Sequence, residues 1–293
     1  MQFLVYILSY PLLWIISILP FRIFYLLSDI VYFIVYYLVG YRRKTVKNNL
    51  ALALPHLNET ERKVIEKKFY QHMCDMFMEM IKTMTISPEE MHKRFKITNI
   101  ELIKEYEEKG QSVILFASHY ASWEWLLTIN SQIKFRGIGV YKKIVNPYFD
   151  KLVRKIRSKY DAELVETKKI IPLMAQNQRD GILSMYGLAS DQSPKLDRAF
   201  HWDSFMGIEV PVHTGAEMLA RKYNLSVLFV KVKKVKRGYY EATFIRICDT
   251  PKKADGFEIT HAYLREVEKQ ILEAPEYYLW THKRWKHRRD NIS

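Results

Sequence analysis

The sequence predicts an α/β fold, a mixed, mainly parallel sheet flanked by helices, preceded by an N-terminal membrane-anchoring helical segment. Three observations predict it. Short apolar runs of strand length alternate with stretches long enough for helices. Two adjoining apolar runs, residues 3–20 and 23–41, fill the N-terminus. The 293 residues are 48% hydrophobic and 27% charged, a balance suited to a sizeable core.

The first run, FLVYILSYPLLWIISILP, is eighteen residues without a charge, and the second is interrupted only by Asp29. A spanning helix needs roughly 20 apolar residues, so each run is near that length. Pro11 sits mid-run, where it kinks a helix. Tyr6, Tyr10, Trp14, Tyr25, Tyr32, Tyr36 and Tyr37 are aromatics of the kind that favour a membrane interface. Arg42, Arg43, Lys44 and Lys47 follow at once, a cluster expected to stay cytoplasmic. No Lys or Arg precedes the apolar core and no small-residue cleavage site follows it, which argues against a cleaved signal peptide. The anchor is therefore placed at 1–45, as one spanning helix or a helix plus an interfacial segment, with the remaining domain at 46–293.

Beyond the anchor, 59–82 reads as a long helix with Asn58 or Thr60 as N-cap and Pro88 beyond its end. Residues 112–117 (SVILFA) form a short apolar run, the mark of a buried strand. A helix is expected over 123–132. Strands are expected over 138–141, 162–165 and 182–186, and another helix over 212–223. Segments 226–233 and 239–247 read as a hairpin turning at Arg237-Gly238, followed by a last helix over 257–272. No Gly-rich phosphate loop occurs, so nucleotide chemistry has no support.

The charge balance is 46 Lys+Arg against 32 Asp+Glu, a net +14. This composition excludes a disulfide-stapled mini-protein, an acidic disordered tail and a collagen-like fibre. Cys74 and Cys248 match no metal-ligand spacing and suit a reducing compartment. Net charge alone would admit nucleic acid as a partner, but the apolar N-terminus favours an anionic membrane surface.

Chemistry concentrates in FASHYASWE, residues 116–124, where a buried strand ends at His119 and an acid follows five residues later. Strand C-terminal ends are where ligands bind in open α/β sheets. The spacing alone is weak, since chance gives about one His-x4-acid in a chain of this composition. Three occur: His56/Glu61, His119/Glu124 and His261/Glu266. The last lies within one helix, where five residues turn about 500° and leave the side chains far apart. His56 has no strand to hold it. At His119 the chain leaves a strand for a helix, and with Ser122 as cap, Glu124 falls in the first turn. A carboxylate bonded to one ring nitrogen would fix the tautomer and free the other as a base. With no Cys or Gly-x-Ser-x-Gly elbow beside it, the pair is expected to activate a substrate hydroxyl.

The apolar strand followed by SHYASWEW resembles the H-x4-D/E block of the lysophospholipid acyltransferases. Its Glu version is similar to the late, secondary lauroyl and myristoyl acyltransferases of lipid A biosynthesis. YKKIVNPYFDKLVRKIRSKY at 141–160, ASDQSP at 189–194, FMGIEVPVHTGAEMLARK at 205–222 and PEYYLWTHKRWK at 275–286 agree in order and spacing. The FPxG- and EGT-like blocks of the glycerolipid branch are absent, and Asp-Gln-Ser-Pro departs from the commonest third block. The resemblance implies a glycerol-phosphate acyltransferase-like fold with its catalytic domain on the cytoplasmic side of the bacterial inner membrane. It implies transfer of a fatty acyl chain from an acyl-carrier-protein thioester to a hydroxyl of a lipid A precursor. His119 would be the base and Glu124 its partner, with acyl carrier protein as donor, no metal and no other cofactor. Alternative acceptors are another bacterial lysophospholipid, glycolipid or aminolipid; a membrane-surface lipid esterase is the alternative activity. Lys142, Lys143, Arg154 and Arg157 are the basic candidates for acceptor phosphates, the last two sharing a helix face. Asn146 could meet substrate or merely start a turn with Pro147, while Asp191 and Gln192 are expected at the site after another buried strand. Two further basic clusters, 231–237 and 283–289, are candidates for docking the carrier or anionic headgroups, the second beside Trp280 and Trp285.

Overall fold

The computed structural model describes residues 2–289. Helix α1 (Gln2–Ile18) breaks at Pro20 and α2 (Phe21–Phe33) continues through a π-helical turn, Ile34–Val39, which ends at left-handed Gly40. Helix α3 (Arg43–Ala53) and the 24-residue α4 (Glu59–Lys82) follow. Asn58 and Glu61 make a reciprocal capping box at the start of α4, which fixes where that helix begins. Then come α5 (Pro88–Arg94), β1 (Phe95–Ile97), α6 (Glu101–Glu108), β2 (Val113–Ala117) and a 3-10 helix, Trp123–Gln132. The chain continues with β3 (Arg136–Tyr141), α7 (Pro147–Arg157), β4 (Glu163–Glu166), α8 (Ile170–Arg179) and β5 (Ser184–Ala189). It closes with β6 (His201–Phe205), β7 (Ile208–Val212), α9 (Gly215–Tyr223), β8 (Ser226–Lys236), β9 (Tyr239–Cys248) and α10 (Glu258–Glu273).

Seven strands form one sheet in the order β1-β9-β8-β2-β5-β3-β4, parallel throughout except between β8 and β9. The expected mixed, mainly parallel sheet flanked by helices is the observed fold. Central β2 (VILFA) is apolar on both faces because helices cover both, and Val113, Ile114, Leu115 and Phe116 are all buried. The hairpin turns at Arg237-Gly238 as expected, Gly238 taking a positive φ of 73°.

Departures are local. Residues 123–132 wind as a 3-10 helix. Residues 208–212 pair with β6 as a small separate hairpin, so α9 begins at Gly215. That hairpin turns through Met206 and Gly207, both at positive φ. Its period-2 alternation is short, and Pro211 inside it masks the strand signal.

Helices α1 and α2 pack along the domain. Tyr25 donates to Glu79 (2.8 Å) and Ser28 to Asp75 (2.7 Å), both on α4, while Arg237 bonds both Asp29 and Asp75. Both basic clusters expected to face carrier or headgroups are partly consumed inside the fold. Lys234 lies 3.8 Å from Asp75 and Lys231 pairs with Glu273, leaving Lys233 and Lys236 exposed. Arg284, Trp280 and Trp285 are fully buried, the two indoles stacking 5.9 Å apart and Trp285 stacking on Phe205. The interleaved aromatics of the tail are core, because this segment folds back over the sheet instead of lying on an interface.

Candidate active site

Strands β2 and β5 are parallel neighbours with Ala117 opposite Ala189. Two residues beyond each alanine stand His119 and Asp191, so register alone sets them side by side. Asp191 Oδ1 lies 2.8 Å from His119 Nδ1, and Oδ2 accepts from the His119 backbone N–H at 3.0 Å. Asp191 is completely buried, whereas a quarter of the His119 side chain remains open.

Burial acts to raise the Asp191 pKa, but the His119 ring charge and the hydrogen bonds hold it below the usual carboxylate range. For His119 burial acts downward, and the Asp191 carboxylate with its hydrogen bond reverses that, raising the ring above the ordinary imidazole value. An ionised carboxylate only accepts, so Nδ1 carries the proton and Nε2 is left with its lone pair. Neighbouring imidazoles behave differently. His282 is pushed down to about 4 by burial, and His213 falls through burial and the charge of Arg284.

The loop carrying His119 is clamped from below. Tyr263 donates to the Ala117 carbonyl (2.8 Å), and Gln270 to Ser118 Oγ (3.0 Å). Leu279 N–H bonds the His119 carbonyl (3.1 Å), and Ala121 N–H bonds the Tyr277 carbonyl (2.9 Å). Ala121 has a left-handed φ of 49°, unusual for a residue with a Cβ. Such strain costs about 1–2 kcal/mol and is retained where surrounding contacts over-determine the backbone. Trp123 then stands edge-on to the imidazole at 5.5 Å.

Glu124 makes a different contact from the one the spacing suggests. Both its oxygens are held by Arg157 of α7, at 2.7 and 2.9 Å, in a fork of the strong bidentate kind. Its side chain is 9% exposed, so the pair is largely dry. The carboxylate adds negative potential at His119, which the charge of Arg157 opposes, and the ring's hydrogen bond goes to Asp191. Ser122 does not cap the following helix and its hydroxyl is buried without a partner.

The remaining expected site residues divide. Arg157 serves Glu124, while Arg154, three residues earlier, turns outward. It lines a hollow of about 480 Å³ with Lys143, Lys151, Lys155, Asp150 and Ser158. Among the described residues, Lys143, Lys151, Arg154 and Lys155 have no acidic partner. The carboxylate of Asp150 is occupied by Ile144 N–H and Tyr141 OH. Lys142 is exposed on the loop before this hollow. Asn146 caps α7, its Oδ1 accepting from Tyr148 and Phe149 N–H, which is the turn-starting role. Gln192 is half-buried beside Asp191. Sequence reasoning named Asp191 and Arg157 but missed their partnerships, which only strand order and the path of α7 reveal.

The fold and site together are those of an α/β sheet carrying an aspartate-held histidine at the C-terminal end of its central strand. The chain belongs to the bacterial lipid A biosynthesis acyltransferase family, whose model matches residues 1–287. It is 25% identical over 283 residues to the lipid A biosynthesis lauroyltransferase of Escherichia coli K12, covering 96% of this chain and 90% of that protein. It is 23% identical over 255 residues to a lipid A biosynthesis acyltransferase of Haemophilus influenzae, covering 86% and 80%. Lipid A biosynthesis acyltransferase 2 of Shigella flexneri is 22% identical over 256 residues, covering 85% and 79%.

Proposed function

We propose that this chain moves a fatty acyl group from an acyl-carrier-protein thioester to a hydroxyl of a lipid A precursor at the cytoplasmic face of the inner membrane. The observation that carries the reading is His119, its Nδ1 bound to Asp191 and its Nε2 open at the end of β2. In this mechanism Nε2 takes the acceptor hydroxyl's proton as its oxygen attacks the thioester carbonyl. The C–O bond forms, the C–S bond breaks, and the imidazolium returns the proton to the departing thiolate. Asp191 keeps the ring in the competent tautomer, as the aspartate of a hydrolase triad does. Glu124, fixed by Arg157, supports the transient imidazolium through its field. No acyl-enzyme, metal or other cofactor takes part.

The acceptor is a phosphorylated glycolipid in this reading, and the hollow lined by Lys143 and Arg154 supplies cationic donors for a phosphate. The test is transfer from acyl-carrier thioester to a tetra-acylated precursor. His119→Ala is expected to lose about 10²–10⁴-fold in kcat. Turnover near wild type in that variant overturns the mechanism. Free fatty acid released without acceptor, as fast as transfer, would instead identify an esterase. Mass spectrometry of lipid A from a cell lacking the protein checks the acceptor, a missing secondary acyl chain being the expected result.

A further inference from the structure

Helix α1 is tied to the catalytic domain at both ends. Near its start, Phe3 and Tyr6 pack on Tyr148 at ring distances of 5.0 and 5.7 Å, and Tyr6 meets Phe149 at 5.8 Å. Asn146 Nδ2 adds a bond to the Gln2 carbonyl at 3.4 Å. At its end, Lys82 Nζ binds the carbonyls of Ser17 (2.7 Å) and Leu19 (2.5 Å). The 17 residues between span about 25 Å. Helix α2 is likewise fastened along its length, through Tyr25, Ser28 and Asp29 to Glu79, Asp75 and Arg237.

The outward faces of both helices are apolar and exposed. Leu4, Leu8 and Leu12 of α1 are 62, 70 and 59% exposed, and Leu26 and Leu38 of the second segment 62 and 69%. Polar groups near that surface are satisfied internally: Ser9 bonds a carbonyl of its own helix, and Asp29 is neutralised by Arg237. Val145, 91% exposed beside Asn146, extends the patch onto the domain. Exposed cations lie around it, Arg22 between the helices and Arg42, Lys44 and Lys47 beyond the second.

A patch of this extent, rimmed by cations, fits an anionic lipid leaflet. Geometry decides how it enters. If α1 crossed the roughly 30 Å hydrocarbon core, the start of α7 and the end of α4 would be separated by most of that thickness. One of them would then be immersed, carrying Lys151, Arg154 and Lys155 or the Asp75–Arg237 network into lipid, where charges are strongly disfavoured. Resting on on the membrane association put forward above, we infer that α1 and α2 lie in a single leaflet as an interfacial pair, neither crossing the bilayer. The chain docks on the membrane with the apolar faces of both helices buried and Arg22 at headgroup level on the same side as the domain.

Vesicle topology tests this on the full chain in a Gram-negative host. A peptide tag ahead of Met1 and a single thiol from Arg22→Cys, in a Cys74→Ala, Cys248→Ser background, are probed with protease and a membrane-impermeant maleimide. Both should be shielded in spheroplasts and accessible in inverted vesicles. A tag cleaved from outside with the thiol shielded shows that α1 spans; a thiol labelled with the tag shielded shows a spanning hairpin; both reached from outside show that the second segment alone spans; each overturns the inference. Recovery of the protein in the soluble fraction at low salt would instead overturn membrane association itself. Leu8→Glu with Leu38→Glu is expected to release most of the protein from phosphatidylglycerol-containing vesicles while acyl transfer to detergent-dispersed acceptor persists. Retention of both variant and wild type on the vesicles to the same extent counts against these faces.

Discussion

His119 and Asp191 make the acid limb of the pH profile a direct readout of one contact. The proposed mechanism needs a neutral base, so kcat/KM should rise with pH through the His119 pKa, which Asp191 lifts above the ordinary value. Asp191→Asn removes the charge and is expected to move that limb to lower pH while lowering kcat. A limb that stays in place would show that Asp191 does not govern the imidazole. Arg157→Ala should leave Glu124 buried without its fork, costing about 3–5 kcal/mol of stability and lowering kcat. The charge-swapped Glu124→Arg, Arg157→Glu protein would restore the pair without restoring the negative potential at His119. Stability recovered without activity is therefore the expected outcome, measured by thermal melting beside turnover. At this scale the sequence disclosed where His119 stands, two residues beyond an apolar run of strand length. It could not disclose which acid meets the ring. Asp191 is 72 positions away and becomes a neighbour only because β5 is inserted beside β2.

Among the elements, α4 is the hub between the N-terminal helices and the β8–β9 hairpin. Glu79, wholly buried, accepts from Tyr25 and Tyr240 at 2.8 Å each. Burial pushes its pKa up to about 7, against the opposing pull of Lys234. A carboxyl raised from about 4.5 to about 7 contributes stability in full below the unfolded value, and that contribution is lost as pH rises through 7. Glu79→Gln should therefore flatten the pH dependence of the melting temperature between about 4.5 and 7. A dependence as steep as in the unaltered protein would place that titration elsewhere. Glu79→Leu strands both tyrosine hydroxyls and should cost about 1–3 kcal/mol for each. Long elements with clear punctuation were legible: α4 begins at its Asn58 cap, and the β8–β9 hairpin turns at Arg237-Gly238. Short ones were not. Three-residue β1 carries no period, and the 3-10 winding of residues 123–132 depends on how left-handed Ala121 delivers the chain.

Over the whole molecule, α7 joins three functions by presenting three faces. Tyr148 and Phe149 receive α1, Arg157 holds Glu124, and Lys151, Arg154 and Lys155 line the cationic hollow. Reversing charge with Lys151→Glu and Arg154→Glu should raise KM for a phosphorylated acceptor by about 10-fold or more, as loss of charge-assisted hydrogen bonds at about 1.5–3 kcal/mol each would. It should leave KM for the acyl donor unchanged and kcat nearly so. Equal KM changes for both substrates would mean the hollow does not read the phosphate. The net +14 was visible from composition, yet its distribution was not. Composition counts Arg284 and Lys233 alike, although one is sealed in the core and the other faces solvent.

The clamp of Tyr277 and Leu279 on the His119 loop also orders events in time. Synthesis delivers α1 and α2 first, β2 with His119 next, and the segment around residues 275–285 after every other part of the site. Until that strap emerges, the carbonyl of His119 and the N–H of strained Ala121 have nothing to hold them. Under the proposed membrane docking, a nascent chain thus settles on lipid while the His119 loop is still unformed, and the proposed acyl transfer waits until the protein is in place.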